Sequence, residues 1–385
     1  MLKQIVTGPI LTPKGWLDGG SVNIDGNKIR AVSNINLHVV GAEIIDAKGC
    51  YVVPGGIDMH THGGGGRDFV EGSEEAFRTA VSAHVKHGTT AMYPTLSTST
   101  VPMIETACKT CQKLMDEEDS PVLGLHIEGP YLNPAQARVL DPELSKAPEP
   151  EKYKPLLDNN PCIKRWDEAP ELPGSIEFIE ACRHHGVLTA LTCTHATFET
   201  VEAAHNAGMT HAAHFYNAMP VVYKEHEFKV PGTVESVYAL QDMTVETIAD
   251  GIHVPPVMLH VVYQIKGVEK MALITDSLAY AACNGEVTCE PRVILEDGVC
   301  KLADHSALAG SIATMDTLIR TSILKAEIPM IDVFRMASET PAKIMGVFDH
   351  KGSIEEGKDA DIIMFDKDIN LTYVMQMGHE KTNCL

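Results

Sequence analysis

The sequence predicts an α/β protein: a closed (β/α)8 barrel over residues 54–345, carrying a small β-sandwich built from both chain termini, residues 1–53 and 346–385. Three observations carry that expectation. Apolar runs of strand length alternate with segments of helical period through the middle of the chain, the pattern of parallel βα units. Five of those runs finish in a histidine or a carboxylate, and in a parallel barrel such ends gather on one face. Both ends of the chain read instead as short strands between turn signals.

Residues 1 to about 53 are punctuated by Asp18-Gly-Gly20, Asp25-Gly-Asn27 and Lys48-Gly49, the marks of hairpins in a small sheet. Val52 and Val53 then read as an apolar strand leading into Pro54-Gly-Gly-Ile-Asp-Met-His-Thr-His-Gly-Gly-Gly-Gly66. Alternate side chains of a strand share a face, so His60 and His62 project together at its carboxyl end, and the glycines behind them leave coordination positions open. Helical patterns follow at Ser73 to His87, Ser175 to His185, Thr197 to Ala207 and Met315 to Ala326. Between them, Val122–Ile127 ends at Glu128, Val187–Thr192 at His195, Thr210–Ala213 at His214 and Lys270–Ile274 at Asp276. About eight such alternations argue for closure into a barrel. The tail, with Ile362-Ile-Met-Phe365 and Leu371–Met375, resumes the β pattern and completes the sandwich.

A length of 385 residues and 44% hydrophobic content suffice for one large domain with an appendage. The 31 Lys plus Arg against 52 Asp plus Glu leave a net charge of -21, which argues against nucleic acid and anionic membranes as partners and requires a local cationic pocket for any anionic substrate. The ten cysteines are scattered, and those in apolar segments, such as Leu191-Thr-Cys-Thr194, read as reduced core residues of a cytosolic protein. No signal peptide and no apolar run of about 18 residues is visible.

Imidazoles at His60, His62, His195 and His214 with carboxylates at Glu128 and Asp276 suit zinc, or ferrous iron, better than calcium or magnesium. One or two ions per chain are expected: one on Glu128, His195 and His214 suffices for hydrolysis, and a second on His60 and His62 with a shared carboxylate would make water easier to deprotonate. Asp276 is placed as general base, taking a proton from the attacking water and passing it to a departing amine.

The motifs resemble the amidohydrolase superfamily, and within it the N-acetylglucosamine-6-phosphate deacetylases. The likeness runs from about Ile44 to Asp366 through Val53–Gly63, Gly88-Thr-Thr90, Gly124–Pro134, Ala207–Met219, Asp250-Gly-Ile-His253, Ile274-Thr-Asp-Ser277, Leu308-Ala-Gly-Ser311 and Gly352–Asp361. The resemblance implies that Glu128, His195 and His214 hold the main metal, that His253 polarises the acetyl carbonyl or steadies the sugar, and that backbone amides at Asn217 and Ala218 meet a 6-phosphate. It implies a homodimer, through a phosphate site shared across the interface. Two departures bear on the substrate. Leu140 stands where the family has a polar side chain, and Lys229, in Lys229-Val-Pro-Gly232, stands where the family has an arginine; His226 and Arg138 are the candidates to compensate. The expected reaction is hydrolysis of the N-acetyl group of N-acetylglucosamine 6-phosphate. The alternatives are another acetamido sugar such as N-acetylgalactosamine 6-phosphate, or a catalytically silent sugar-phosphate-binding barrel.

Overall fold

A computed structural model describes residues 1–35, 39–136, 144–283, 287 and 292–385. Arg138 and Leu140 lie outside the described residues. Eight parallel strands follow one another around the centre: Gly56–Thr61, Thr89–Leu96, Leu125–Glu128, Ile163–Glu168, Leu188–Leu191, His211–Ala212, Thr244–Ile248 and Met271–Ile274, here called the first to eighth barrel strands. Each pairs with its neighbour in sequence order. The eighth returns to the first: Asp276 N donates to His60 O at 2.9 Å, and the amides of His62 and Gly63 both donate to Ser277 O, at 2.8 and 2.9 Å. This bonding brings the two ends of the sheet together, as the alternation of apolar and helical segments predicts.

Helices pack outside the strands because each presents one apolar face. In Glu74–Val85, Ala76, Phe77, Ala80, Val81 and Val85 are buried, and Ser73 caps the first turn by accepting from Ala76 N. The predicted helices appear at Glu74–Val85, Ser175–His184, Phe198–Ala207 and Met315–Leu324. Each starts or stops within about three residues of its expected limits, where caps rather than periodicity set the end.

Strands from the two chain ends form two further sheets. One has four strands, in the order Lys28–Ser33, Ser21–Asp25, Leu2–Val6, Glu43–Asp46; the other has six, in the order His379–Asn383, Leu371–Gln376, Ile362–Phe365, Tyr51–Pro54, Ile10–Thr12, Gly15–Leu17. Ile5, Val22, Ile24, Val52, Ile362 and Met364 fill the core between these sheets. The alternate residues Val53, Ile363 and Phe365 point the other way, into the main core beside the barrel helices. Val52 and Val53 therefore do not lead into the histidine pair. Their strand, Tyr51–Pro54, pairs antiparallel with Ile362–Phe365, and the first barrel strand starts afresh at Gly56, after a break at Gly55.

Candidate metal centre

A cavity of about 860 Å³ opens at the carboxyl ends of the barrel strands, and His62, Glu128, Cys193, His214, His253 and Asp276 line it. Three of the ligand-type residues follow one local rule. His214 lies two residues past the end of the sixth strand at Ala212, Asp276 two past Ile274, and Cys193 two past Leu191. All three have left-handed backbone, with φ of 28°, 45° and 42°. Non-glycine residues reach that region only where the surroundings hold them there. Here the Cys193 carbonyl accepts from Asn133 N (3.1 Å), the His214 carbonyl from Asn217 N (2.8 Å) and the Asp276 carbonyl from Ser311 N (2.8 Å). At Gly63, behind the histidine pair, a Cβ would collide with the Arg67 carbonyl, so only glycine permits this close approach.

His60 and His62 converge as expected, with Nε2 atoms 3.3 Å apart. His62 Nε2 is also 3.3 Å from both Glu128 Oε2 and Asp276 Oδ1. The His60 ring is oriented from below, its Nδ1 donating to Glu246 Oε1 at 2.8 Å, which turns Nε2 toward the cavity. Glu246 is held in turn by the Arg165 guanidinium at 2.5 and 2.7 Å, and Arg165 also grips Asp167; all three are fully buried. Burial pulls both cavity imidazoles down, but the neighbouring carboxylates outweigh it. Asp276, Glu246 and Glu128 raise His60 to about 9, while Asp276 and Glu128 raise His62 to about 10. The pocket thus favours positive charge at a point surrounded by nitrogen and oxygen donors, as a cation site does.

On the other side of Glu128, His214 Nε2 lies 3.0 Å from Glu128 Oε1, and Thr192 Oγ1 donates to Glu128 Oε1 at 3.2 Å and lies 2.8 Å from His214 Nε2. His214 Nδ1 donates to the Asn217 carbonyl at 3.2 Å, which orients the ring with Nε2 toward Glu128. Burial works against the charge on both groups, yet His214, His60 and His62 hold Glu128 well below the usual carboxylate range. Ligand atoms of Glu128, Cys193 and His214 all lie within 4.8 Å of one another, as do those of His60, His62 and Asp276. Donors arranged this way fit divalent transition metals, with Glu128 reaching both groups.

His195 is not among them. It is exposed, its ring meets Gln136 Nε2, and its backbone N–H donates to Glu171 Oε1 at 2.7 Å. The fifth strand ends at Leu191, so residue 195 stands four positions along and the chain has already turned away from the cavity; Cys193 occupies the place expected for His195. The two-residue offset shared with His214 and Asp276 marks Cys193, but it is visible only once the end of the fifth strand at Leu191 is known. Thr192, Glu246 and Arg165 were missed too, because their roles arise from contacts across strands.

Asp276 sits at the mouth, 3.6 Å from His60 Nε2 and 3.3 Å from His62 Nε2. Burial would raise its pKa, but His60 and His62 keep it lowered, so it is an available proton acceptor. His253 lines the cavity with Nδ1 bonded to Asp250 Oδ2 (2.7 Å) and Nε2 to the Ala309 carbonyl (2.6 Å), so a substrate contact from its ring must displace that carbonyl. Asn217 and Ala218 both line the cavity, but the Asn217 amide is already donated to His214 O, which leaves Ala218 N–H as the one of the two available to an anion. Lys229 does not reach the cavity: it lies exposed on the hairpin Tyr223–Glu225/Phe228–Val230, opposite Lys224. Arg292 lines the cavity instead, a cation the motif reading did not single out.

The model of the amidohydrolase family matches residues 51–382. The chain belongs to the amidohydrolase family. It is 30% identical to N-acetylglucosamine-6-phosphate deacetylase of Haemophilus influenzae over 100% of both chains, and 28% identical to N-acetylgalactosamine-6-phosphate deacetylase of Escherichia coli O157:H7 over 96% of both. Among solved structures, N-acetylglucosamine-6-phosphate deacetylase from Pasteurella multocida superposes with a TM-score of 0.93 at 29% identity, covering 100% of both chains. A mutant of the Mycobacterium smegmatis enzyme, in complex with N-acetyl-D-glucosamine-6-phosphate, superposes at 0.91 with 27% identity, covering 99% of this chain and 100% of that one.

Proposed function

We propose that this amidohydrolase removes the N-acetyl group of N-acetylglucosamine 6-phosphate, giving acetate and glucosamine 6-phosphate. The observation that carries the reading is the convergence of Asp276 with two sets of ligand atoms around Glu128 at the mouth of the barrel. The names of the full-length relatives support the substrate. Divalent metal held by these residues, zinc first and ferrous iron second, supplies Lewis-acid polarisation of the amide carbonyl and acidifies water.

The chain's own groups do the rest. Asp276 accepts the proton of the attacking water and returns it to the amine nitrogen as the C–N bond breaks. Glu246 and Asn217 O fix the rings of His60 and His214, so that each presents Nε2 to the cavity. His253, held by Asp250, donates to the acetyl oxygen or a sugar hydroxyl once the Ala309 carbonyl is displaced. The Ala218 N–H and Arg292 receive the anionic end of the sugar, which the net charge of -21 would otherwise repel. A silent binding barrel would have no use for a proton acceptor beside the ligand cluster.

Lys229 bears on assembly. It stands outside its own cavity beside exposed Phe228, so it acts on substrate only from a neighbouring copy, and a homodimer belongs to this reading. The buried thiols of Cys50, Cys108, Cys111, Cys162 and Cys182 favour a reducing, cytosolic setting. Among the described residues no helix is long and apolar enough to cross a membrane.

Relatives named for N-acetylgalactosamine 6-phosphate make that epimer the second reading. Acetate release from both sugar phosphates and from unphosphorylated N-acetylglucosamine, by protein of measured metal content, tests the assignment. Preference for N-acetylglucosamine 6-phosphate is expected; preference for the epimer transfers the assignment to it, and no release from any of the three by metal-loaded protein overturns it.

A further inference from the structure

We propose that Cys193 binds metal through its thiolate, making the Glu128 and His214 subsite a carboxylate–thiolate–imidazole centre. This rests on the reading of the cavity as a metal site and goes beyond it, because it gives the two halves of the cluster different chemistry. Around His60 and His62 the donors are imidazole nitrogens and carboxylate oxygens. Around His214 one of the three is sulfur.

Several features distinguish Cys193 from a buried cysteine that merely fills space. It does pack on Leu132 and Ala218, as a small apolar residue would. But it also lines the cavity, and its Sγ lies within 4.8 Å of ligand atoms on both Glu128 and His214. Two ligands of one ion at about 2.0 to 2.3 Å must lie within roughly 4.6 Å of each other, so the cluster is close to binding dimensions as it stands. The residue is also held in place. Its carbonyl accepts from Asn133 N, Thr194 N donates to the Ala218 carbonyl at 3.0 Å, and Thr192 Oγ1 contacts its Sγ at 3.8 Å while bonding the other two ligand residues. Asn133 is itself tied to Glu171, which also takes the Thr194 hydroxyl and the His195 amide. The surface network that includes His195 thus steadies the loop from which Cys193 reaches inward.

Binding replaces the S–H bond with a sulfur–metal bond and releases one proton to solvent. An anionic sulfur donor selects zinc, ferrous iron or cobalt over magnesium and calcium. The experiment uses the full chain, stripped of metal and reloaded with cobalt(II), whose thiolate complexes give an intense near-ultraviolet charge-transfer band that oxygen and nitrogen donors do not. The band is expected in the parent and absent in Cys193→Ser and Cys193→His, with the histidine variant still binding cobalt. Cobalt-loaded parent without the band, or a band that survives in Cys193→Ser, overturns the proposal. X-ray absorption at the zinc edge of the parent covers the case in which neither variant folds: a sulfur scatterer near 2.3 Å is expected, and a shell of nitrogen and oxygen alone overturns it. Acetate release is assayed separately, so sulfur ligation without turnover would count against the deacetylase reading and leave this one intact.

Discussion

Replacing Glu246 with Gln should separate the stability of the barrel interior from the affinity of the metal centre. Oε1 of Glu246 accepts from His60 Nδ1 (2.8 Å), Arg165 Nη2 (2.7 Å) and His214 N (3.3 Å), and Oε2 accepts from Arg165 Nη1 (2.5 Å) and His211 Nε2 (3.3 Å). Glutamine keeps one oxygen. Turned to preserve the His60 bond, it presents an amide to Arg165 Nη1 and His211, leaving two buried donors facing a third. Each such donor costs about 1–3 kcal/mol, and loss of one charge from a buried pair costs about 3–5 kcal/mol. Asp167 still neutralises Arg165, so the lower end, about 3 kcal/mol, is expected. Urea unfolding of the metal-free protein measures it as a fall in midpoint at constant slope. Because His60 Nδ1 retains its acceptor, metal affinity, read by chelator competition, should fall only about tenfold, the low end for an outer carboxylate. Unchanged urea midpoint together with unchanged affinity would refute the idea that Glu246 ties the barrel interior to the site.

Asp276→Asn should leave metal content intact while lowering kcat by about 10²–10⁴-fold, as the amide accepts no proton; a variant within threefold of the parent would remove Asp276 as the base. His195→Ala should keep metal content and at least half the activity, since His195 is exposed and outside the cluster; loss of metal on its removal would restore it as a ligand. Arg292→Ala should raise KM for the phosphorylated sugar more than for the unphosphorylated one, and equal effects on both would rule out an anion contact. Burial lowers His84 from the ordinary imidazole range to about 4, outweighing its bond to the Gly63 carbonyl, which acts the other way. The unfolded chain then takes up a proton that the folded one refuses, so stability is full above about pH 6.5 and falls as pH drops toward 4, by up to about 3 kcal/mol. His84→Gln should flatten that part of the stability–pH curve, and an unaltered slope would show that the proton is taken up elsewhere.

The fold was legible because its signals are local. Strand-length apolar runs, helical periods and the turn at Asp25-Gly-Asn27 report their own conformation, and the five strand-end groups announced a site at one face of a barrel. Local signals also misled where the chain bends. Val52 and Val53 have strand character but belong to the sandwich, because their strand ends at Pro54 and Gly55 separates it from the first barrel strand. Of the site residues that the motifs picked out, His60, His62, Glu128, His214 and Asp276 come together at the strand ends. His195 lies outside that group, two residues beyond Cys193; an imidazole is more conspicuous than a cysteine in an apolar segment, and nothing in the sequence states where the fifth strand stops.

By itself, the sequence determined the family, the barrel with its two-ended sandwich and the type of donor gathered at the strand ends, because periodicity and residue chemistry are written along the chain. Only the tertiary structure decided that Cys193 rather than His195 faces Glu128 and His214, that Glu246 and Arg165 orient His60 from within the barrel, and that Lys229 points away while Arg292 lines the cavity. Those choices depend on where a strand ends and on which side chains meet across sheets and loops far apart in sequence, and such distances exist only once the barrel has closed.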